Sequence, residues 1–480
     1  MKLQFKVAES CLIAALVLVG GCAAPAENPA SLPRLEPATQ LAVSLDLNPS
    51  QIRPMYQELL AIDLPTVERV AAAGNLDIRR ARQRVEANRG RYESNVEAIF
   101  PIIAPSIAYS HFQGVGQNAN GTLTPPIHFD NLLPALSIQW ILNPGTVVYD
   151  IIASKRRLEA SDRQEQSVAL ETVRTAAVQY YELVLARVRL AVAQEAVNEA
   201  RELLRLTQIR VTAGTGLPAD ELRAQASLAA FEQDVVLALN NFYQASVDLT
   251  LTLHLNPAVT LVPGPRQVRQ VTLVSEELSV GELLAAASKY RPDLQAVRSL
   301  LLASQADTGA TVWGGIGPQL QAAYTVGGLK TYWPGGNYDW KEQQKAGVGA
   351  GLALGPATFG NLKTAQANEQ VAGIDVQRQT DLVRAAVVVA QQASAANAKL
   401  IPVAREQLDS AQEALRLTQA NLKAGTALLV DVLQAQNAVE DGRLRYITAV
   451  VRYNQSQVNL LAAVGLLDVA SLLREEKQHA

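Results

Sequence analysis

The chain has 480 residues, 49% of them apolar and 18% charged, with a formal net charge of -3. That balance excludes intrinsic disorder and gives no support to nucleic-acid binding. Length alone would suggest about three ordinary domains, and aromatics are scarce at 5%, so where they fall carries information.

The first residues read MKLQFKVAESCLIAALVLVGGC. Lys2 and Lys6 precede an apolar run from Leu12 to Val19, far short of the ~20 residues a membrane-spanning helix needs, so residues 1–21 read as an export signal. Val19-Gly20-Gly21-Cys22 resembles the lipobox of bacterial lipoproteins, which would make Cys22 the lipidated (palmitate-bearing) first residue of the mature chain; the alternative is an ordinary signal cleaved nearby. Ala23 stands where that class carries an aspartate for inner-membrane retention, so outer-membrane delivery is the default expectation. Cys11 leaves with the signal, and one remaining cysteine can form no internal disulfide. Residues 22–63, with Pro25, Pro29, Pro33, Pro37, Pro49 and Pro54, read as an extended Pro-rich tether.

A first unit is expected over 64–256. Val67, Val70, Ala71, Ile78, Ala81 and Val85 recur at helical steps until Phe100-Pro101, with an interruption at Gly74-Asn75. The period then changes to two, predicting strands at 103–112 and 134–142 joined by a Gly/Asn-rich loop; Ile103, Ile107 and Tyr109 fall on one face, Ser106 and Ser110 on the other. Asn143-Pro144-Gly145 opens a helical run over 147–213, whose Val173, Ala177, Tyr180, Val184 and Val188 approach a coiled-coil seam. At ~1.5 Å per residue it would reach roughly 100 Å, too long for a compact globule. A returning helix over 219–255 ends at Asn256-Pro257, and 257–279 reads as a linker.

The second unit, 280–467, repeats that order: helices to about Thr311, strands at 318–327 and 346–355, a long helix over 358–423, a returning helix over 430–467, and a polar tail, 468–480. In the first strand Leu320, Ala322, Tyr324 and Val326 alternate with Gln319, Gln321, Ala323 and Thr325. The repetition is clearest at the turns. Residues 205–225 read RLTQIRVTAGTGLPADELRAQ and residues 416–436 read RLTQANLKAGTALLVDVLQAQ, with twelve of 21 positions identical. Each is helix, Ala-Gly-Thr, helix, and the glycine supplies the left-handed residue that ends a helix. The expected fold class is therefore an α+β membrane protein with internal structural duplication, in which a long antiparallel α-helical coiled-coil tunnel accompanies four β-strands.

Four amphipathic strands cannot close a transmembrane barrel, because eight is the usual minimum and open edges are not tolerated in lipid. Three protomers would supply a trimeric 12-stranded transmembrane β-barrel. Tyr109, Trp140, Trp313, Tyr324, Trp333 and Trp340 all fall in or beside the strands, where a barrel's interfacial aromatic girdle belongs.

In its duplicated helix-strand-strand-helix-turn-helix order, its paired AGT turns and the Leu/Asp starts of the helices that follow (217–222 and 428–433), the chain resembles the TolC family of outer-membrane efflux proteins, over about residues 64–467, and its lipobox resembles the lipoprotein branch. The resemblance implies a homotrimer set in outer membrane lipid, passively conducting substrates to the exterior. Its tip would meet a periplasmic membrane-fusion adaptor protein coupled to an inner-membrane transporter. It implies that Gly214, Thr215, Gly425 and Thr426 form the adaptor-docking tips, and that Asp431, with Asp220 and Gln434 as further candidates, borders a cation-attracting constriction. Gln434 stands where the family pattern carries a second aspartate, which implies a weaker acidic ring. For Asp220 and Asp431 the alternative role is helix capping.

Nothing points to an enzyme or a cofactor. His111, His128, His254 and His479 are scattered without metal-ligand spacing, and the Gly347-x-Gly-x-Gly351 run lacks the strand-to-helix context of a nucleotide site. The rival class is a lipid-anchored periplasmic coiled-coil adaptor or scaffold without a pore, which would not need two pairs of alternating strands.

Overall fold

The computed structural model describes residues 42–44, 58–123, 125–264, 267–332, 340–352 and 355–467, all within the unit Ala38–Ala480. The export signal, Cys22, Trp333 and the tail 468–480 lie outside the described residues.

Strands β1 (Ala42–Ser44) and β2 (Glu58–Ile62) precede helices α1 (Leu64–Gly74) and α2 (Leu76–Glu97). Asp63 starts α1 by accepting the Thr66 N–H at 3.0 Å, and Asn75 both ends α1 and starts α2, accepting the Asp77 N–H at 2.7 Å. Next come β3 (Ile102–Gly114) and β4 (Ile127–Leu142), then α3 (Pro144–Thr212) and α4 (Pro218–Leu253). Asn143 accepts the Thr146 N–H at 3.1 Å while Pro144 occupies the first helical position, where no N–H is required. Strands β5 (Val259–Pro263) and β6 (Gln267–Arg269) follow. The rest is α5 (Val280–Tyr290), α6 (Pro292–Ile316), β7 (Pro318–Tyr332), β8 (Trp340–Leu352), α7 (Ala357–Ala424) and α8 (Leu429–Val464). Helix α3 packs on α2, α4, α6 and α8, and α7 packs on α6 and α8.

Two sequence expectations are corrected. The stretches read as a tether (22–63) and a linker (257–279) each contain strands, and they pair with one another. β2 runs parallel to β5, from Glu58 opposite Val259 to Ile62 opposite Pro263, and β1 is antiparallel to β6. The pairing gives exposed backbone groups partners, buries Ile62 and Leu261 in the main core, and lets buried Arg187 of α3 donate to the Pro263 carbonyl. The strands of the four-stranded sheet also depart from 103–112, 134–142, 318–327 and 346–355. The first three extend further and β8 begins earlier, because the ladder continues through polar residues such as Gln113, Asn131 and Lys345 that alternation alone reads as loop.

The main core joins Val173, Ala177, Tyr180 and Val188 of α3 to Phe242 and Leu249 of α4, Val383 and Val387 of α7, and Tyr446, Val450, Tyr453 and Val458 of α8. One face of α8 holds the segment after β6: Asn454 accepts the Val271 N–H at 2.9 Å, and Gln457 accepts those of Leu273 and Val274 at 3.0 and 2.8 Å. One residue breaks the apolar pattern. Glu68 of α1 is fully buried with neither carboxylate oxygen hydrogen-bonded, and burial pushes its pKa up to about 8. When α1 is laid on α5, Asp63, Val67 and Ala71 meet Ser279, Leu283 and Ala287, and Glu68 meets Leu284. Among the described residues no helix is long and apolar enough to cross a membrane.

Candidate functional site

Strand register gives the four-stranded sheet, ordered β3-β4-β7-β8, two unlike faces. Ile103, Ile138, Tyr324 and Ala346 form one cross-strand row, and Trp140, Ala322 and Val348 another on the same face. Along β4 that face carries Leu132, Pro134, Leu136, Ile138, Trp140 and Leu142. The opposite face carries Ser106, Asn131, Ser137, Gln139, Gln319, Gln321, Thr325 and the glycines 347, 349 and 351. Its polar groups bond across strands: Thr325 Oγ1 donates to Ser137 Oγ at 3.4 Å, and Thr331 Oγ1 to Asn131 Oδ1 at 2.9 Å. Apolar side chains on the first face are open to solvent in the single chain, Val348 at 91% and Ile107 at 74%.

The aromatic residues expected as a girdle occupy two levels of that sheet. At its far end Tyr109, Leu132, Lys330 and Trp340 share a row, with the Trp340 ring against Gly328; Tyr109 and His111 both bond Asp130 Oδ1, at 2.8 and 2.7 Å. Tyr324 sits midway. Near the helices, Trp140 Nε1 donates to the Ile99 carbonyl at 2.7 Å. Trp313 is not on a strand but in the last turn of α6, where its carbonyl accepts from Asn143 Nδ2 at 3.0 Å. Its ring fills the space beside Gly145, where an added Cβ would lie 2.1 Å from the ring. Gly145→Ala is accordingly expected to displace Trp313 and cost ~1–3 kcal/mol; an unchanged tryptophan emission spectrum and melting midpoint would contradict this.

At the other end of the helices the two AGT turns have the same geometry. Gly214 and Gly425 adopt φ of 74° and 79°. Thr215 donates both its N–H and its hydroxyl to the Arg210 carbonyl, at 2.9 and 3.2 Å, and Thr426 does the same to Asn421, at 2.9 and 3.1 Å. All four residues are exposed. The turns are brought together by an apolar cluster of Leu203, Ala224, Leu415, Leu429 and Val432, and by Arg210, whose guanidinium donates to the Leu422 carbonyl at 3.1 Å. Arg210 was not singled out from the sequence. The available signal was a cation in the last turn of α3, where the helix dipole and unfilled carbonyls favour one.

The two aspartates do different things. Asp431 accepts the Leu428 N–H at 3.1 Å and so caps α8. Asp220 has no capping bond, contrary to the capping alternative read from sequence, because its carboxylate pairs with Arg223 at 3.0 Å. Asp431 and Gln434 are exposed on α8, beside buried Val432. Among the described residues no cluster of His, Cys, Asp and Glu suits a metal ion.

A four-stranded sheet apolar on one face and polar on the other, standing on helices of 69 and 68 residues, is the fold of the outer-membrane channels. The chain belongs to the outer membrane efflux protein family, whose model matches residues 69–253 and 283–466. Among solved structures it is similar to the outer-membrane channel OprN, at 19% identity and TM-score 0.73, covering 90% of this chain and 98% of that one. It is similar also to the CmeC outer membrane channel of Campylobacter jejuni, at 15% identity and TM-score 0.72, covering 93% and 98%. The MtrE outer membrane channel of Neisseria gonorrhoeae matches at 18% identity and TM-score 0.69, covering 89% and 99%. No curated protein sequence matches the chain. These family and structural relatives are channels, not enzymes.

Proposed function

We propose that the chain is one protomer of a trimeric outer-membrane channel-tunnel, passively conducting substrates that a periplasmic adaptor and an inner-membrane transporter deliver to its AGT tips. The observation that carries this reading is the two-faced sheet whose outer strands, β3 and β8, have no further strand partner among the described residues. Such edges are untenable in lipid and are removed by closure. Pairing β8 of one protomer with β3 of the next closes twelve strands after three copies, with the apolar face to lipid and the polar, glycine-rich face to water. From Leu132 to Leu142 the apolar face of β4 extends ~33 Å along the strand, or ~25 Å across a bilayer at a ~40° tilt, the height of a barrel's apolar band. The helices support the same closure, since Val371, Ile374 and Leu382 on α7 and Val236, Leu237 and Leu251 on α4 are exposed apolar residues that a neighbouring protomer would cover. Cys22 would add a lipid anchor in the outer membrane, and the repeated order of elements would reflect duplication of one ancestral unit. A scaffold without a pore accounts for the helices but gives the sheet no role.

Asp431 is the third residue of α8, at the tip, and three copies around an axis would favour cations. In planar bilayers the detergent-purified protein is expected to have the mass of a trimer and to give small, cation-preferring steps that enlarge in Asp431→Ala. Monomers without conductance would sink the channel reading.

A further inference from the structure

The duplicated helices enclose two grooves at matching positions, and the pair has diverged in charge. In the first half the groove lies between α3 and α4, about 270 Å³, with Glu182, Arg189, Asn241, Gln244 and Asp248 on its walls. In the second it lies between α7 and α8 and is closed off by α3 and the start of α6, about 890 Å³. Shifting by the 211 residues that separate the AGT turns, Glu182 becomes Ala393, Asn241 becomes Arg452, Gln244 becomes Gln455 and Asp248 becomes Asn459. At these positions the acids Glu182 and Asp248 lose their charge, the cation Arg189 is matched by Leu400, and a new cation, Arg452, stands where the first half has Asn241. The first groove has two carboxylates and one guanidinium; the second has three guanidiniums and two carboxylates.

Both carboxylates of the larger cavity are already engaged. Glu171 is held by Arg174, whose Nε lies 2.8 Å away and which keeps the carboxyl below its usual range; Arg174 also donates to Asn459 Oδ1 at 2.9 Å. Asp293 accepts from Arg291 Nε at 2.8 Å and from Gln379 Nε2 at 2.8 Å. The guanidinium of Arg452 has no hydrogen bond or ion pair among the described residues; only its backbone carbonyl is used, by Asn397. It stands on the face of α8 opposite Asn454 and Gln457, which hold the segment after β6. Apolar side chains come from Leu170 of α3 and from Ala386, Val389, Ala390 and Ala393 of α7, and Ser167, Asn397, Gln455 and Ser456 add neutral polar groups. The first turn of α6 borders the same space, and there Asp293 Oδ1 also accepts the Leu294 N–H at 2.9 Å.

We propose that this cavity binds an amphipathic organic anion, its single carboxylate or sulfonate on Arg452 and its apolar body against the alanine-lined wall of α7. The site goes beyond the channel reading and does not need it, because the cavity is formed by one chain. An unpaired guanidinium in a cleft that already satisfies its own acids is the donor that an anion of this kind would meet.

The test uses two soluble probes with the same ring system, 1-naphthalenesulfonate and 1-naphthylmethylammonium, titrated calorimetrically into the full-length protein in neutral detergent. The sulfonate is expected to bind once per protomer and at least tenfold more tightly than the ammonium. Arg452→Ala should weaken it at least tenfold, Arg452→Lys should retain part of the affinity, and Arg452→Glu should reverse the preference. Equal affinities for the two probes would mean partition into the micelle and would overturn the proposal. So would unchanged sulfonate binding in Arg452→Ala, and so would loss of assembly in that variant with binding per folded chain intact, which would make Arg452 an interface residue. Conductance measured on the same samples separates the two ideas: binding without conductance sinks the channel alone, and conductance without binding sinks this site alone.

Discussion

Replacing Glu68 with leucine is expected to stabilise the protein by ~3–5 kcal/mol at pH 9 and by much less at pH 4. The carboxyl is fully buried with both oxygens unpartnered, and its pKa is raised from 4.5 to about 8. The folded chain therefore keeps a proton that the unfolded chain loses. Between the unfolded value and about 8 the unfolded state binds fewer protons, so stability falls as pH rises through that window and levels off above it. Below the unfolded pKa the acid is neutral in both states and the penalty is limited to two oxygens without partners. Leucine is the replacement to make because Leu284 fills the matching place in α5 with ordinary apolar packing. Melting midpoints of the detergent-solubilised protein across this range give the answer. A gain for Glu68→Leu that is the same at pH 4 and pH 9 would show that ionisation of Glu68 is not the cause.

Gly465→Ala is expected to cost ~2–5 kcal/mol, while the same change at Gly425 costs about 1. Both glycines end a long helix with positive φ, 82° at Gly465 and 79° at Gly425, so both substitutions carry the strain of a left-handed residue. They differ in what a methyl group would meet. Around Gly425 nothing lies within 4 Å, because the tip is open. At Gly465 the new carbon would stand 2.9 Å from the backbone nitrogen of Arg291 and 2.9 Å from the carbonyl carbon of Tyr290, at the corner between α5 and α6. Backbone at a corner has no alternative rotamer to adopt, and the Arg291 N–H is already committed to Ala287 at 3.0 Å. The melting midpoints of the two variants should therefore separate clearly. Equal shifts would mean that the corner yields freely and that the tight fit at Gly465 is unimportant.

What could be read from the sequence was what depends on near neighbours along the chain. The AGT turns were legible because a glycine, a threonine and the five residues before them contain the whole motif, and the bond from Thr215 to Arg210 is repeated from Thr426 to Asn421. The two faces of β7 were legible because alternation is local, although its length was not, since pairing with β4 and β8 carries the strand on through Lys330. The β2–β5 pairing was not legible: five residues of parallel strand, buried only where they meet α3 and α4, leave no periodic mark. Glu68 was hidden because a glutamate in an amphipathic helix ordinarily marks the wet side. Arg452 was hidden for a related reason, since what sets it apart is the absence of a partner on helices far away in the chain.

The parallel pairing of β2 with β5 also fixes an order of events. A chain delivered from its N-terminus presents Glu58–Ile62 roughly two hundred residues before Val259–Pro263 exists to receive them. Helices α3 and α4, joined by a short turn, can zip together as soon as both have arrived, because their contacts close a small loop. The front strand cannot, and it waits until some two hundred further residues have followed. The front strand is therefore among the first parts to emerge and is fastened only after α3 and α4 have arrived. In that interval it stays open to processing and to chaperones, and closure at β5 ends its availability.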